Sequence, residues 1–271
     1  MRKKLKFIYL WLMLAVLYLP VLVLAFYSFT TSANIGAVHG FGLQNYETLF
    51  LNEELRHMIV GTVLLAVVSA AIATVLATLG AIGSFYAKKA GKRLVSMLNQ
   101  VPVVNADVVT GFSICITLVI VFGMEKATYI PLVIGHVVLS APFVYLSVMP
   151  KLKQLDTSLY EAALDLGATP AQALRKIILP QLAPGILSGF ALAITLSLDD
   201  YFIATYTKPA TFDTISTYVV NATKGSQTEI KTALWALSTL IFFIVVLIVI
   251  GMNLVQGKSV QKGAKEVEKK A

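Results

Sequence analysis

Long apolar runs, separated by short polar stretches, restrict how this chain can fold more than any other feature. The first run covers residues 7–29 and is long enough to cross the ~30 Å of hydrocarbon in a lipid bilayer. Similar runs follow along the 271 residues, of which 57% are hydrophobic and only 13% are charged. Composition of this kind is typical of a polytopic membrane protein. We therefore predict an all-α membrane fold.

We predict six membrane-spanning helices and no sizeable soluble domain, so that residues 1–271 form a single transmembrane domain. The approximate bounds of the spans are residues 7–29, 55–87, 94–122, 128–149, 184–206 and 232–255. A cleaved signal peptide is the alternative for the first run. Because the apolar core of a signal peptide is only about 7 to 15 residues long, we interpret the run as an uncleaved first helix.

Lysines and arginines lie in small clusters at the ends of the apolar runs, and these clusters predict the topology. Of the 22 basic residues, 17 fall on one side: four before the first span, four between the second and third, four between the fourth and fifth, and five after the sixth. By the positive-inside rule this side is the cytoplasm, which places both termini there. The net charge of +8 would also suit a nucleic-acid-binding protein. Since the basic residues do not line one face, we expect no nucleic-acid partner.

The sequence lacks the motifs of a catalytic or metal site. Cys115 is the only cysteine, so the chain has neither an intrachain disulfide nor a cysteine metal cluster. Residues 251–259 end in Gly-Lys-Ser like a P-loop, but five residues separate their glycines where the P-loop has four. We expect no enzyme activity, no metal and no cofactor bound by this chain.

Two predicted spans contain polar residues that need an explanation. The span at residues 94–122 begins irregularly, with Pro102 and Asn105 among its interruptions. Broken helices at membrane depth are tolerated only where they are buried in protein or line a cavity. In the fourth span, His136 could act as a proton relay or form a helix-to-helix hydrogen bond. We favour the hydrogen bond, although the sequence shows no partner for it.

A polar, amphipathic segment precedes the fifth apolar run and has the signals of two short helices. Ser158 and Glu161 have the spacing of a capping box and predict the start of the first helix. Thr169 and Gln172 predict the start of the second in the same way. Between them, Gly167 lies where a left-handed residue would end the first helix.

Residues 156–180, which we call the coupling segment, carry a recognisable pattern. Its fixed positions are Glu161, Ala162, Ala163, Gly167, Ile177, Leu179 and Pro180. Taken singly, the glutamate could cap a helix and the alanines could reflect helix propensity. Together they match, without a gap, the EAA signature and resemble permease subunits of binding-protein-dependent ABC importers. In that family the segment is a cytoplasmic coupling helix that docks in a groove of an ATPase subunit.

The resemblance implies a type I ABC importer permease fold and a set of partners. It implies ATPase coupling through Glu161, Ala162, Ala163, Gly167, Leu179 and Pro180. The partners are a homologous permease, more often a different chain than an identical one, two ATPase subunits that bind ATP and Mg²⁺, and an extracytoplasmic substrate-binding protein. The location is the bacterial cytoplasmic membrane.

Two other function classes were weighed against the importer. An ion-coupled secondary transporter would more usually show internal repeats across a longer chain, and the halves of this chain show no convincing repeat. A membrane scaffold or membrane-embedded enzyme would leave the EAA pattern unexplained. Copurification with an ATPase subunit would separate the importer from both.

Three aspartates, Asp107, Asp199 and Asp200, lie inside predicted spans and are candidates for a substrate pathway. An aspartate at the centre of a membrane helix costs roughly 2.5 to 3.5 kcal/mol, so each needs a water-filled cavity or a positive partner. No lysine or arginine lies in the interior of any predicted span, since Arg56 is at the very start of the second. A cationic substrate would satisfy the carboxylates. The alternatives are that one or more of them cap a helix break or bind an arginine of the partner permease.

A narrower resemblance points to the substrate. Nearly the whole chain resembles the second permease of spermidine/putrescine importers. The stretches that carry this likeness are residues 41–50, 101–117 and 195–200 together with the EAA pattern. The resemblance implies a polyamine substrate for the three aspartates. Permeases for other small solutes share the fold, and a fold does not determine a substrate.

Overall fold

The computed structural model describes residues 2–31, 40–156, 158–224, 233–247 and 250–251. Within these ranges every regular element is a helix, and the only β pairing is one isolated bridge between Thr30 and Phe41. The predicted all-α class is therefore confirmed for the described part of the chain.

Twelve helices account for the described residues. In chain order they are α1 Arg2–Ser28, α2 Gln44–Leu51, α3 Glu53–Tyr86, α4 Lys89–Val104, α5 Asp107–Ile116, α6 Ile130–Gln154, α7 Ser158–Asp165, α8 Pro170–Ala173, α9 Leu179–Asp199, α10 Phe202–Thr207, α11 Ile215–Lys224 and α12 Ala233–Leu247. A π-helical turn, Thr117–Val121, extends α5, and another, Leu174–Ile178, joins α8 to α9.

Four of the described helices are long and apolar enough to cross a membrane. They are Tyr9–Ser28, Glu53–Tyr86, Ile130–Gln154 and Pro170–Asp199. The pair Lys89–Val104 and Asp107–Val121 makes a fifth crossing if it is counted as one span. Helix α12 is apolar but shorter. The sixth predicted span, residues 232–255, includes residues that lie outside the described part of the chain. The count of six therefore stays a prediction.

The structure corrects two predicted spans. The span at 94–122 is not one helix, because α4 and α5 meet at a bend of 109°. At this bend Asn105 and Ala106 have extended backbones, and the Asn105 side-chain amide donates to Thr110 Oγ1 over 3.0 Å. The span at 184–206 is also interrupted, since α9 ends at Asp199 and a separate short helix follows. The predicted loop after it contains α11.

The chain divides into two compact units, Met1–Ile59 with Tyr218–Val249, and Val60–Thr217 with Ile250–Ala271. In the first unit, aromatic rings join α1 to α12. Tyr27 lies edge-on to Trp235 with ring centroids 5.9 Å apart, and the Asn45 side chain donates to the carbonyls of Ser28 and Thr30. These hydrogen bonds hold the end of α1 against α2.

The core of the second unit is formed chiefly by α3, α6 and α9, and α6 and α9 are in extensive contact. Two glycines of α9 allow this close approach. A Cβ added at Gly189 would lie 3.0 Å from Val144 Cγ1, and one at Gly185 would lie 2.8 Å from Lys151 Cγ. The tight α6–α9 pair fixes both ends of α9, where the candidate sites lie.

Candidate functional sites

The break after α9 is organised by Asp200. Its backbone is extended, with φ −69° and ψ 124°, and the residue is only 9% exposed. The carboxylate accepts hydrogen bonds from the backbone amides of Ile203, over 3.3 Å, and Ala204, over 2.7 Å. Asp200 therefore caps α10, as one of the alternatives drawn from the sequence anticipated. The Ser216 hydroxyl donates to the Asp200 carbonyl on the other side of the break.

A chain of buried polar side chains leads away from this cap. His136 on α6 is fully buried, and its Nδ1 lies 2.8 Å from Ser197 Oγ on α9. Ser197 Oγ in turn lies 3.3 Å from Ser69 Oγ on α3. The helix-to-helix hydrogen bond predicted for His136 is thus confirmed. We call Ser69, Ser197, His136 and Asp200 the polar chain.

The same histidine lies beside the Asp200 carboxylate. His136 Nε2 is 3.8 Å from Asp200 Oδ2, without a hydrogen bond between them. Reasoning from the sequence missed this pair, because the two residues lie on different predicted spans. The available signal was that the fourth and fifth predicted spans each contain an ionisable residue, His136 and Asp200, with no partner within the same span.

The other two aspartates differ from Asp200 in their exposure. Asp107, the first residue of α5, and Asp199, the last residue of α9, are both exposed. Each lies close enough to Asp200 for its charge to act on that carboxylate. The structure therefore brings the three together, and we call them the aspartate cluster. Among the described residues neither Asp107 nor Asp199 has an ion pair with a lysine or arginine.

Helices α5 and α10 pack directly beside the aspartate cluster. A Cβ added at Gly111 would lie 3.0 Å from the Cα of Ile203, so the two backbones are in contact. On the same pair of helices the rings of Phe112 and Tyr206 meet edge-on at 5.6 Å, and Phe112 remains about half exposed. Aromatic faces can attract cations. These rings were not among the residues singled out from the sequence.

The first helix of the coupling segment ends as predicted at Gly167, which has φ +86°. The Ala168 amide donates to the Ala163 carbonyl over 3.0 Å, and the Gly167 amide donates to Leu164 over 2.9 Å. These two bonds form a Schellman motif, in which the left-handed residue satisfies the last carbonyls of a helix. A glycine suits this place because a side chain at positive φ is strained.

The start of the second helix is also confirmed. Thr169 Oγ1 accepts from the Gln172 amide over 3.3 Å, and Gln172 Oε1 accepts from the Thr169 amide over 2.9 Å. The start of α7 differs from the prediction. Ser158 is already the first helical residue, and its amide donates to Asp156 Oδ1 over 3.0 Å. Hydrogen bonds from the hydroxyl and amide of Ser158 hold the pKa of the Asp156 carboxyl below its ordinary value.

The outer surface of α7 combines small and large apolar side chains. Glu161 and Ala162 are exposed, whereas Ala163 is buried beneath them. Leu159 is about half exposed and Leu166 is 89% exposed. The remaining EAA positions lie at the start of α9, where Leu179 is half-buried and Pro180 is exposed.

Comparison with known proteins gives a consistent family. Residues 79–262 match the model of the family described as binding-protein-dependent transport system inner membrane component. The chain is 29% identical to the spermidine/putrescine transport system permease protein PotC of Haemophilus influenzae, over 90% of this chain and 93% of that protein. It is 30% identical to PotC of Escherichia coli K12, over 89% of each chain.

Other matches extend this comparison. The chain is 31% identical to the putrescine transport system permease protein PotI of Escherichia coli K12, over 83% of this chain and 81% of that one. Among solved structures, a chain of a bacterial alginate ABC transporter in complex with an alginate pentasaccharide-bound periplasmic protein has a TM-score of 0.69 at 19% identity. The match covers 90% of this chain and 93% of that chain, and it shows the fold alone.

Proposed function

Because this chain belongs to the family of inner membrane components of binding-protein-dependent transport systems, we propose that it forms half of a membrane pathway for polyamine uptake. The family is a transport component, so the chain is a transport subunit and not an enzyme. It is a multi-pass protein of the cytoplasmic membrane. The observation that carries the polyamine assignment is the aspartate cluster, in a chain similar to permeases named for spermidine and putrescine.

Within the cluster we assign different roles to the three carboxylates. Asp107 and Asp199 are exposed and would face the substrate, whereas Asp200 is already used as the cap of α10. A polyamine is a flexible chain with two to four positive charges. Two carboxylates in a site of reduced dielectric attract such a cation far more strongly than they would in bulk water. The nearby ring of Phe112 would add a cation–π contact.

We further propose that the coupling segment receives the ATPase. Its exposed apolar residues Leu159 and Leu166, and the small Ala162, are suited to docking in a groove. Glu161, Ala163 and Gly167 hold the shape of this surface, and Leu179 and Pro180 connect it to α9. Movement of the ATPase would then reach the aspartate cluster along α9, a single helix between the two sites.

The proposed assembly follows from one chain supplying half a pathway and one docking segment. It contains a second homologous permease that differs from this chain, two ATPase subunits that bind ATP and Mg²⁺, and an extracytoplasmic binding protein. In this assembly the chain has six spans with both termini in the cytoplasm. The basic residues from Lys258 onward, which help to predict that orientation, lie outside the described residues.

A permease for another small solute is the second candidate. The fold is also that of a transporter described as importing alginate, an acidic polysaccharide, so the architecture does not select cations. What favours polyamines is the net negative charge of the cluster. An ion-coupled secondary transporter is set aside by membership of the family.

The proposal is tested by purifying the chain with an affinity tag from its native membrane and identifying the proteins that accompany it. We expect an ATPase subunit, a second permease and a binding protein. Reconstituted in proteoliposomes, this complex should take up labelled spermidine or putrescine only when ATP and the binding protein are both present. ATP-driven uptake of a different solute, with neither polyamine transported, would contradict the substrate assignment.

A further inference from the structure

The aspartate cap and the buried histidine are joined in a way that the proposed pathway does not yet use. His136 is fully buried, and only its Nδ1 has a hydrogen-bond partner, Ser197. Its Nε2 has no hydrogen-bond partner within the described part of the chain and faces Asp200 Oδ2 at 3.8 Å. A buried ring nitrogen without a partner is costly and calls for a reason.

The polar chain connects four separate elements at one point. Ser69 lies on α3, His136 on α6, Ser197 on α9, and Asp200 between α9 and α10. A second contact holds the far side, because the amide of Ile215 at the start of α11 donates to the Thr62 hydroxyl of α3 over 3.1 Å. The break between α9 and α10 thus has contacts from other helices in addition to the local cap that Asp200 forms.

We propose that His136 is a positioning residue for the pathway. It holds the Asp200 carboxylate as the cap of α10 and thereby sets the direction of the adjacent Asp199. Asp199 is the last residue of α9 and Asp200 joins it to α10, so the backbone angles of Asp200 set the direction of Asp199 relative to α10. This inference rests on the proposed function only for its effect on substrate. The structural part of the inference, that His136 positions Asp199, does not depend on which substrate is transported.

Two polar groups lie next to the His136 ring, and two further charges act on one of them. Asp200 faces Nε2, Ser197 faces Nδ1, and the charges of Asp107 and Asp199 act on Asp200 from the exposed side. Asp200 Oδ2 already accepts from the Ala204 amide over 2.7 Å. The imidazole therefore acts on the one carboxylate of the cluster that does not face outward. This is why its role is to position and not to bind.

The test uses two substitutions that separate the ring nitrogens. His136→Asn places an amide near the position of Nδ1 and removes the atom facing Asp200, whereas His136→Gln reaches the position of Nε2. The matched control is His57→Asn, the same change at an exposed histidine. A single cysteine is introduced at Asp199 in a Cys115→Ala background, and its labelling by a neutral methanethiosulfonate reagent is timed in the full complex. A cysteine at Leu166, in the coupling segment, reports general unfolding.

We expect His136→Asn to change the labelling rate of the cysteine at position 199 by about fivefold or more, as loss of one buried polar contact would. Labelling at position 166 should not change, and His136→Gln should restore most of the effect. Equal labelling rates at position 199 in His136→Asn, His136→Gln and His57→Asn would overturn the inference. If His136→Asn does not assemble, the labelling rate at position 199 in His136→Gln is the deciding measurement. We expect this rate to be close to that of wild type, and a clearly different rate in a correctly assembled complex would contradict the inference.

Uptake of labelled spermidine distinguishes this inference from the proposed function. With saturating spermidine-loaded binding protein, His136→Asn should lower the uptake rate in parallel with the labelling change. A labelling change without any effect on uptake would confirm the positioning of Asp199 and contradict its role in the pathway. An unchanged labelling rate with normal polyamine uptake would overturn the positioning role and leave the pathway intact.

Discussion

The two ends of α9 are built by different kinds of contact. In the coupling segment that leads into α9, the turn at Gly167 and the capping box of Thr169 and Gln172 are made by residues that lie close together in the chain. At its trailing end, Asp200 is met by His136 from α6, which is linked through Ser197 to α3. The first set of contacts is local, whereas the second adds contacts from distant parts of the sequence to the local cap that Asp200 forms.

This difference suits the roles that we propose for the two ends. A docking surface made by local contacts keeps its shape while the ATPase pulls on it. A pathway site made by contacts between helices changes whenever those helices move. The same tight α6–α9 pair lies between them, so a movement delivered at the coupling segment would reach the aspartate cluster without deforming the helix.

The largest effect should come from breaking the local contacts of the coupling segment with Gly167→Val. A β-branched residue at φ +86° costs about 1 to 2 kcal/mol of strain and would distort the docking surface. We expect ATP-driven uptake to fall about tenfold or more, since each 1.4 kcal/mol is a factor of ten, while the complex still assembles. Uptake in proteoliposomes and copurification of the ATPase subunit measure the two quantities.

Gly123→Val is the matched control for this variant. Gly123 also has a positive φ, +64°, and open space around it, but it lies outside the coupling segment. Its substitution introduces similar strain and should leave coupling unchanged. Normal transport in Gly167→Val, or an equal loss in Gly123→Val, would show that the docking role is wrong.

The next effect concerns the end to which distant contacts are added. Asp200→Ala removes the acceptor for the amides of Ile203 and Ala204. Loss of a cap costs about 0.5 to 2 kcal/mol, so hydrogen exchange of these two amides should accelerate by roughly 2-fold to 30-fold. Asp199→Ala should leave both amides protected. Equal acceleration in the two variants would mean that Asp200 is not distinguished from its neighbour.

A smaller effect is expected at the cap of α8. Thr169→Ala removes the hydroxyl that accepts from the Gln172 amide. A cap of this type contributes about 1 kcal/mol, so exchange of that amide should accelerate about fivefold, whereas Thr169→Ser should keep it slow. Because the contact is local, the exchange of Ala204 at the other end of α9 should not change. Faster exchange of both the Gln172 and the Ala204 amides would show that the two sites are not independent of each other.

The smallest effect is a dependence on pH at the start of α7. The lowered pKa of Asp156 means that its carboxylate stabilises the helix start above the ordinary pKa of aspartate, near 3.9, and that this contribution is lost as pH falls through the lower folded value. When the pH is lowered to 3, exchange of the Ser158 amide, corrected for intrinsic rates, should therefore accelerate more in the wild-type protein than in Asp156→Asn. Identical pH dependence in the two proteins would contradict the cap.

The same contrast explains what the sequence could predict. The turn at Gly167 and the box at Thr169 follow from residues at short spacing, and both predictions are confirmed. The box at Ser158 is wrong, since Ser158 is already the first helical residue and its amide donates to Asp156, two residues earlier. Hydropathy predicted the long apolar helices that the structure describes. The total of six stays a prediction, because the sixth span includes residues outside the described part of the chain.

The trailing end of α9 could not be predicted in the same way. Apolar residues resume directly after Asp199 and Asp200, so the hydropathy pattern predicts one span where the structure has two helices. The break depends on backbone geometry and on His136, which belongs to another helix. The three aspartates were identified as a group from their cost in a membrane. Which of them faces inward is decided by tertiary contacts.

The central claim is that two outward carboxylates, Asp107 and Asp199, attract a cationic substrate while Asp200 supports them. Uptake of labelled spermidine and putrescine by complexes carrying Asp107→Asn, Asp199→Asn or both, each matched for assembly, tests this most directly. Asparagine keeps the shape of the side chain and removes its charge. We predict that each single variant loses uptake and that the double variant loses more, with the stimulation of ATP hydrolysis by loaded binding protein reduced in step. Wild-type uptake of both polyamines in the double variant would contradict the claim.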